Sequence, residues 1–455
     1  MMRCQHLVAF SICIIQCRAL WHAYSKNKDL SLCKEGLEQQ TRHKQVPAAI
    51  DKQKWKLWPD LMSSQDESDG ESLYGLSAGL EAIWENQHPA DCSTAKFLIS
   101  GGFESGFGSE MHVIGAGLAL AMSMNRVYIM LADQGDSSLM DKMHSNNKFH
   151  VDIDFCRKKD NFNLDCYYEP WSSCTLEDAL KGTSQQKIRQ DNLFLPFNQL
   201  KATKNRTERT LIVHLGSELV DEIPPVLQQV VECSPMRHDQ YKYWWRSVSV
   251  TYLMRPNEAT RQLIMQHRLD KEMAFDFNKE QCVSVHVRRG DKHLEMKVIE
   301  DETVFFETAL QLWTNLKNIT QSTQQRGVMY FGSEDPSAMD SAQEWGQKNN
   351  WDIKFSNLFD RRTVSTRLNA TEQEQAREKN AFVHHEWEYF NMILTLDGHL
   401  RCRAFVCTQR SNYCRVIDEM RATVGGKLNK QYADFSCHGD HVKACIDSPL
   451  TGIGW

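Results

Sequence analysis

Short apolar runs alternate with amphipathic stretches along the chain from about residue 92 onward. The pattern predicts a first unit with a helix over 111–124 after a glycine-rich loop, and strands over 96–100, 126–131 and 210–215. A helical segment is predicted over 240–270. The second unit has predicted helices near 303–318, 336–349 and 376–396 and from 411 onward, and strands near 282–287, 327–332, 351–355 and 404–408. Such alternation predicts mainly parallel sheets covered by helices.

These two units predict an α/β fold with two Rossmann-like lobes and a cleft between them. The corresponding division is a signal peptide or short signal anchor at 1–23, a stem or linker at 24–90, an N-terminal α/β lobe with a helical connection at 91–270, and a C-terminal Rossmann-like lobe at 271–455. The length of 455 residues agrees with two domains, and 41% apolar with 25% charged residues excludes disorder of the whole chain. The net charge of -6 argues against non-specific nucleic-acid binding.

The amino terminus has the pattern of a secretory signal. Arg3 precedes an apolar run over 7–15, which is long enough for a signal-peptide core and short for a membrane span of about 20 residues. We expect a cleaved signal first and a short type II anchor second. Three Asn-x-Thr sequons, at Asn205, Asn318 and Asn369, also favour the secretory pathway. Twelve of the fifteen cysteines follow the predicted signal, and an even number in an oxidising compartment permits disulfides.

The most informative segment is 283–292, Val-Ser-Val-His-Val-Arg-Arg-Gly-Asp-Lys, in which valines at strand spacing lead into a charged loop. Open α/β sheets bind ligands at the carboxyl ends of their strands, and two adjacent guanidiniums there favour phosphate or diphosphate. In this interpretation Arg288 and Arg289 neutralise an anionic leaving group, and His286 adds a hydrogen bond. The residues alone equally allow structural salt bridges between the arginines and acids on the next helix.

Three further turns between a strand and a helix could contact a ligand. The glycine-rich loop with Gly106 and Gly108 precedes a helix whose N-terminus favours anions, although a tight turn explains the glycines as well. Ser411 is a good N-cap residue, so its turn either binds a phosphate or simply begins a helix. Asp335 suits a ribose or base contact, or a helix start with Pro336 at the first helical position.

The cysteines and histidines have no clear zinc-binding spacing, so we expect no metal site. Cys407 and Cys414 could instead close a small disulfide loop before the last predicted helix. His112, on the helix after the glycine-rich loop, is more typical of a structural histidine than of a catalytic one.

Five segments, taken in order along the chain, resemble the α1,6-fucosyltransferase family, which includes enzymes that core-fucosylate N-glycans and rhizobial Nod-factor fucosyltransferases. The first two are Asp-Cys-Ser before the first strand and Gly-Phe-Gly-Ser-Glu-Met-His at the glycine-rich loop. The third joins Trp-Trp-Arg-Ser to Tyr-Leu-Met-Arg-Pro within 244–256. The fourth, within 285–292, is similar to the family's His-x-Arg-Arg-x-Asp motif, and the fifth lies at 405–416.

The resemblance implies a GT-B-like glycosyltransferase that uses GDP-fucose as donor, inverts the anomeric carbon and requires no metal or other cofactor. It makes Arg288 the main ligand of the β-phosphate, with support from His286 and Ser411. The other residues of the expected donor site are Arg289, Gly106, Gly108 and Asp335.

The resemblance also implies a carboxylate that takes the proton of the acceptor hydroxyl. We expect Glu295 in this role, Lys292 as its partner, and Asp291 as the residue that orients the two arginines. The expected function is transfer of L-fucose to a glycan in the Golgi lumen, through an α1,6 bond to the core GlcNAc of N-glycans. The alternatives are a related GDP-sugar transferase with another glycan or protein acceptor, and a catalytically silent glycan-binding relative.

Overall fold

Two mainly parallel sheets, each packed against helices, confirm the α/β class and the two Rossmann-like lobes. The computed structural model describes residues 58–59, 73–101, 106–130, 156, 164–182, 194–195, 206–213, 223–234, 236–269, 281–289, 299–320, 326–356, 388–427, 431–436 and 444–446. The predicted signal at 1–23 and the loop with Asp291, Lys292 and Glu295 lie outside these residues.

The first sheet has the order β2-β1-β4-β3, and its neighbouring strands are parallel. Its strands are β1 (Phe97–Ser100), β2 (Val127–Met130), β3 (Phe194–Leu195) and β4 (Thr210–Val213). The helices of this part of the chain are α1 (Leu76–Gln87), α2 (Phe107–Ser123), the short α3 (Leu176–Leu180), α4 (Pro225–Glu232), α5 (Tyr241–Leu253) and α6 (Glu258–Arg268). Strands β1, β2 and β4 are buried throughout, as expected for strands of a covered parallel sheet.

Three boundaries in this lobe differ from the sequence prediction. Helix α2 begins four residues earlier than predicted, because Gly106 is extended and its carbonyl already accepts the amide protons of Ser109 and Glu110. The predicted helical segment 240–270 is two helices, because Pro256 interrupts it and Asn257 caps α6 by accepting a hydrogen bond from the Thr260 amide at 3.1 Å. Helix α1 lies within the predicted stem, and its apolar side chains belong to the core of this lobe.

The second sheet has the order β10-β9-β8-β5-β6-β7, with β10 antiparallel to β9 and all other pairs parallel. Its strands are β5 (Cys282–Val287), β6 (Gly327–Ser333), β7 (Trp351–Lys354), β8 (Ala404–Cys407), β9 (Tyr432–Asp434) and β10 (Cys445–Ile446). Its helices are α7 (Thr303–Thr320), α8 (Pro336–Asn349), α9 (Glu388–Arg401) and α10 (Asn412–Ala422). From β5 the chain adds β6 and β7 on one side and then β8 and β9 on the other, which is the doubly wound Rossmann order.

The two lobes are joined by helices rather than by a linker alone. Helix α10 of the second lobe packs against α2 and α5 of the first, and its apolar side chains lie in the same hydrophobic core as theirs. Polar contacts cross the same boundary: Thr251 on α5 donates a hydrogen bond to Thr423 at 2.7 Å, and His112 on α2 lies 2.9 Å from Glu419 on α10. The carboxyl-terminal part of the chain therefore contributes to the packing of both lobes.

Four disulfides join described cysteines: Cys92–Cys174, Cys156–Cys166, Cys282–Cys402 and Cys407–Cys414. The last of these confirms the predicted small loop. The disulfides are compatible with an oxidising compartment such as the secretory pathway. Among the described residues, no helix combines the length and the apolar character that a membrane span requires.

Candidate functional site

The candidate site lies where the strand order of the second sheet reverses. Strands β5 and β8 are parallel neighbours, and Val285 pairs with Val406, so both strands end at the same edge of the sheet. The strand order changes direction between β5 and β8. After β5 the chain continues towards α7, and after β8 it continues towards α10. Doubly wound sheets bind ligands at such a switch point. His286 and Ser411, which are distant in sequence, therefore belong to one edge.

His286 is buried near the carboxyl end of β5. Its ring lies edge-on to two other aromatic groups, with centroid distances of 5.0 Å to Tyr413 on α10 and 5.6 Å to His399 on α9. Three elements therefore hold the imidazole in place. Neither residue was singled out from the sequence: Tyr413 lies within the 405–416 segment, where only Ser411 received a role, and His399 lies outside the five resembling segments.

Arg288 lies directly after β5 and forms an ion pair with Glu334, which follows β6. The same carboxylate accepts a hydrogen bond from the backbone amide of Arg289 at 2.6 Å. Burial alone would raise the pKa of Glu334, but the charges of Arg288 and His286 hold this pKa below its usual value. Both side chains of the pair are 20% exposed, so a negative charge orients Arg288 at an edge that solvent still reaches.

Arg289 has a different environment, although it is the next residue. Its guanidinium contacts Glu302 before α7, lies 3.4 Å from Asp335 before α8, and donates to the backbone carbonyl of Glu300. Asp335 is the N-cap of α8 and accepts a hydrogen bond from the Ser337 amide at 2.9 Å, with Pro336 in the first turn. The contacts of Arg289 and Asp335 match the structural alternatives that the sequence left open for them.

The N-termini of two helices meet beside the switch point. A Cβ atom at Gly108 would lie 2.4 Å from the carbonyl carbon of Asn412, so α2 approaches α10 as closely as only glycine allows. Next to it, Asn412 donates a hydrogen bond to the Ser109 hydroxyl at 2.5 Å. Each helix N-terminus carries partial positive charge and amide donors, so this junction favours an anion. Gly106, by contrast, has open space where its side chain would be.

The turn between β8 and α10 is fixed by several interactions. Ser411 is the N-cap of α10, and its hydroxyl accepts from the Cys414 amide at 3.5 Å, as the sequence predicts for a cap. Arg415 donates to the carbonyl of Gln409 at 2.6 Å, and the Gln409 amide donates to Asp434 at 2.8 Å. Together with the Cys407–Cys414 disulfide, these bonds hold the first turn of α10 in a single arrangement.

The structure describes only some of the remaining candidate residues. The expected base Glu295, its partner Lys292 and the orienting Asp291 lie outside the described residues. His112 is structural, since it binds the buried Glu419 across the lobe boundary. Where side chains are described, no three histidine, cysteine or acidic residues come together as a metal site would require.

Comparison with known proteins gives only distant similarities. No family model matches the sequence, and no curated protein matches it. Among solved structures, fucosyltransferase NodZ from Bradyrhizobium has 11% sequence identity and a TM-score of 0.37, over 78% of this chain and 100% of its own. A mutant of Arabidopsis thaliana FUT1 in complex with GDP has 10% identity and a TM-score of 0.46, over 85% and 89%. POFUT1 in complex with GDP-fucose has 10% identity and a TM-score of 0.35, over 74% and 97%.

Proposed function

We propose that the protein is an inverting glycosyltransferase that moves L-fucose from GDP-fucose to a glycan, with an α1,6 bond to the core GlcNAc of N-glycans in the Golgi lumen. The observation that carries the proposal is the switch point of the second sheet. There the order of strands brings His286, near the carboxyl end of β5, and Arg288, directly after β5, to the same edge as Ser411 after β8. These are the residues to which the sequence resemblance assigns the donor diphosphate.

The chemistry of the site fits a leaving nucleoside diphosphate. When the glycosidic bond of the donor breaks, negative charge develops on the β-phosphate and must be stabilised by fixed donors. Arg288, oriented by Glu334, supplies a guanidinium whose geometry suits phosphate oxygens. The joined N-termini of α2 and α10 add amide donors and partial positive charge. These groups are anchored before a ligand arrives, so they need little reorganisation in the transition state.

The acceptor hydroxyl must lose its proton as it attacks the anomeric carbon, on the side opposite to the leaving GDP. We propose Glu295 as the base that takes this proton, with Lys292 as its partner and Asp291 as the residue that orients the arginines. The donor is expected to bind without a metal ion, because the proposed charge stabilisation comes from Arg288 and the helix N-termini. The protein would then act in the lumen of the secretory pathway, where its disulfides are stable.

The decisive experiment measures binding of GDP and GDP-fucose by calorimetry, and fucose transfer to a panel of N-glycans, each with and without EDTA. We expect binding and transfer in both conditions, and mass spectrometry should locate fucose on the core GlcNAc. Transfer to another glycan or to protein would support the proposed donor and contradict the proposed acceptor. Binding without any transfer would favour a glycan-binding relative, and absence of GDP binding would refute the donor site.

A further inference from the structure

One motif of the sequence has no part in the proposed donor site: the sequon at Asn318, which is Asn-Ile-Thr over 318–320. Asn318 lies in the last turn of α7 and is exposed to solvent. The other two sequons, at Asn205 and Asn369, lie outside the described residues. An N-linked glycan is bulky and hydrophilic, so its asparagine must lie at the surface. The position of Asn318 on α7 therefore bears directly on its modification.

Helix α7 has a buried face and a solvent face. The buried face contributes to the core of the second lobe through Phe305, Phe306, Ala309, Leu312 and Leu316. The solvent face is a stripe of exposed residues with the spacing of a helix, namely Glu307, Gln311, Thr314 and Asn318. Because Asn318 belongs to this stripe, a glycan attached to it would extend into solvent and leave the packing of α7 unchanged.

The direction of α7 places Asn318 far from the donor site. The helix begins at Thr303, after the carboxyl end of β5, and leads back to the amino end of β6, which is parallel to β5. From Thr303 to Asn318 the helix axis advances by about 22 Å, at a rise of about 1.5 Å per residue. Arg288 lies at the carboxyl edge of the sheet, so a glycan at Asn318 would extend from the opposite edge and leave the donor site open.

The helix also separates the two residues that define the sequon. Positions two apart in an α-helix differ in direction by about 200° and do not face each other. An enzyme that recognises both the asparagine and the hydroxyl residue must contact both at once. It can therefore modify Asn318 only while this part of the chain is not yet helical.

We propose that Asn318 carries an N-linked glycan, and that the glycan is attached in the lumen before α7 forms. The donor is an oligosaccharide joined to a lipid through a diphosphate, and the catalyst is a separate lumenal transferase. Nδ2 of Asn318 loses one proton and bonds to the anomeric carbon of the oligosaccharide, while the bond from this carbon to the diphosphate breaks. This inference rests on the proposed lumenal location and does not depend on the donor site.

Expression of the full-length chain in a eukaryotic secretory host tests the site. Removal of N-glycans by a glycosidase in ¹⁸O-labelled water converts each glycosylated asparagine to labelled aspartate, and peptide mass spectrometry should find this label at position 318. Asn318→Gln and Thr320→Val should lack the label, whereas Thr320→Ser, which keeps the hydroxyl, should retain it. An unlabelled Asn318 in a wild-type chain whose Cys92–Cys174 disulfide has formed would refute the site.

Asn318→Gln also separates this site from the donor site. Its GDP affinity and fucose transfer should stay within about twofold of wild type, because the change lies on the solvent stripe. A larger loss of GDP affinity would contradict the separation of the two sites. Absence of GDP binding by a wild-type protein that is glycosylated at Asn318 would refute the donor site and leave the glycan in place.

A second experiment tests the order of the two events. The full-length chain is produced in a bacterial periplasm, where disulfides form, in a strain without N-glycosylation. It is then incubated with solubilised oligosaccharyltransferase and the lipid-linked donor, either folded or after reduction and denaturation. We expect modification of Asn318 in the unfolded chain alone. Equal modification of the folded protein would overturn the proposed order, and no modification of either form would refute the site.

Discussion

At the scale of single residues, Arg288 and Arg289 show how two identical neighbours acquire different environments. Arg288 follows the edge of the sheet and pairs with the partly exposed Glu334. Arg289 is buried and joins the segments that precede α7 and α8 through Glu302 and Asp335. The resemblance made Arg288 the main phosphate ligand and Arg289 a supporting residue, but the contacts of each arginine could not be predicted, because their partners come from later segments of the chain.

Replacement of Arg288 by alanine should lower fucose transfer by about 10²–10³ fold, because a fixed donor to the leaving diphosphate is lost. Arg288→Lys keeps the charge but not the planar fork, and should recover only part of the activity. The matched control is Arg326→Ala, since Arg326 is 58% exposed and precedes β6, at the opposite edge of the same sheet. Steady-state kinetics with GDP-fucose check the result, and activity near wild type in Arg288→Ala would contradict the proposed role.

Arg289→Ala should instead lower the free energy of unfolding by about 3–5 kcal/mol, because the substitution leaves the buried Asp335 without its cation. Chemical denaturation measures this change. Equal stability of the Arg288→Ala and Arg289→Ala variants would show that the two arginines are not divided as the contacts indicate.

Asp418 on α10 should make the protein less stable as the pH rises from about 4 to 8. Burial, with the charges of Glu419 and Asp434, raises the pKa of Asp418 to about 8 despite the nearby Arg421. The folded protein then keeps a proton that the unfolded chain releases near pH 4, so stability falls between these two values. The Asp418→Asn variant does not lose stability in this way. The difference between its melting temperature and that of the wild type should therefore increase from about pH 5 to about pH 7.5. Asp340→Asn, at an exposed position of α8, is the control, and a constant difference across pH would refute the assignment.

At the scale of elements, the junction of α2 and α10 is the least replaceable feature of the site. Gly108→Ala would place a methyl group against the backbone of Asn412, and neither helix can yield without moving its first turn. We expect a loss of stability of about 1–3 kcal/mol or more, together with weaker GDP binding. Gly106→Ala, two residues away, meets nothing within 4 Å and should melt within a degree or two of wild type. Similar melting temperatures for the two variants would contradict the close approach.

The helices and strands were largely predictable from the sequence, and the errors in these predictions have local causes. Strands β1, β2 and β4–β8 follow apolar runs that the sequence displays directly. Strands β3, β9 and β10 were missed, because two or three residues are too short to show a period of two. The sequence also could not order the strands, so the meeting of β5 and β8 at the switch point became visible only in the sheet. Long-range partners such as Glu419 for His112 leave no signal in a single sequence.

At the scale of the whole molecule, one buried ion pair connects three distant parts of the chain. Asp397 on α9 accepts from Arg268 at the end of α6, with a closest distance of 2.6 Å, and from Trp58 at 2.8 Å. Burial alone would raise the pKa of Asp397, but Arg268 and Trp58 help to hold it below its usual value. Trp58 is thus part of the folded unit.

Arg268→Met should destabilise the protein by about 3–5 kcal/mol at neutral pH, because Asp397 keeps its charge without a cation. The loss should shrink as the pH falls and Asp397 is protonated, since the neutral acid no longer needs the pair. Denaturation curves at pH 4 and 7 measure the effect, with Arg268→Lys as the variant that keeps the charge. An equal loss at both pH values would assign the effect to packing.

The position of α10 has a consequence for how the molecule folds. Its apolar side chains complete the core that contains α2 and α5, while its first turn completes the edge of the second sheet. Neither lobe is therefore fully packed before residues beyond 411 have been synthesised, although the four described strands of the first sheet all end by residue 213. During translation the amino-terminal half therefore exposes an apolar surface until α10 covers it. The two lobes should accordingly form and melt as one cooperative unit rather than as independent domains.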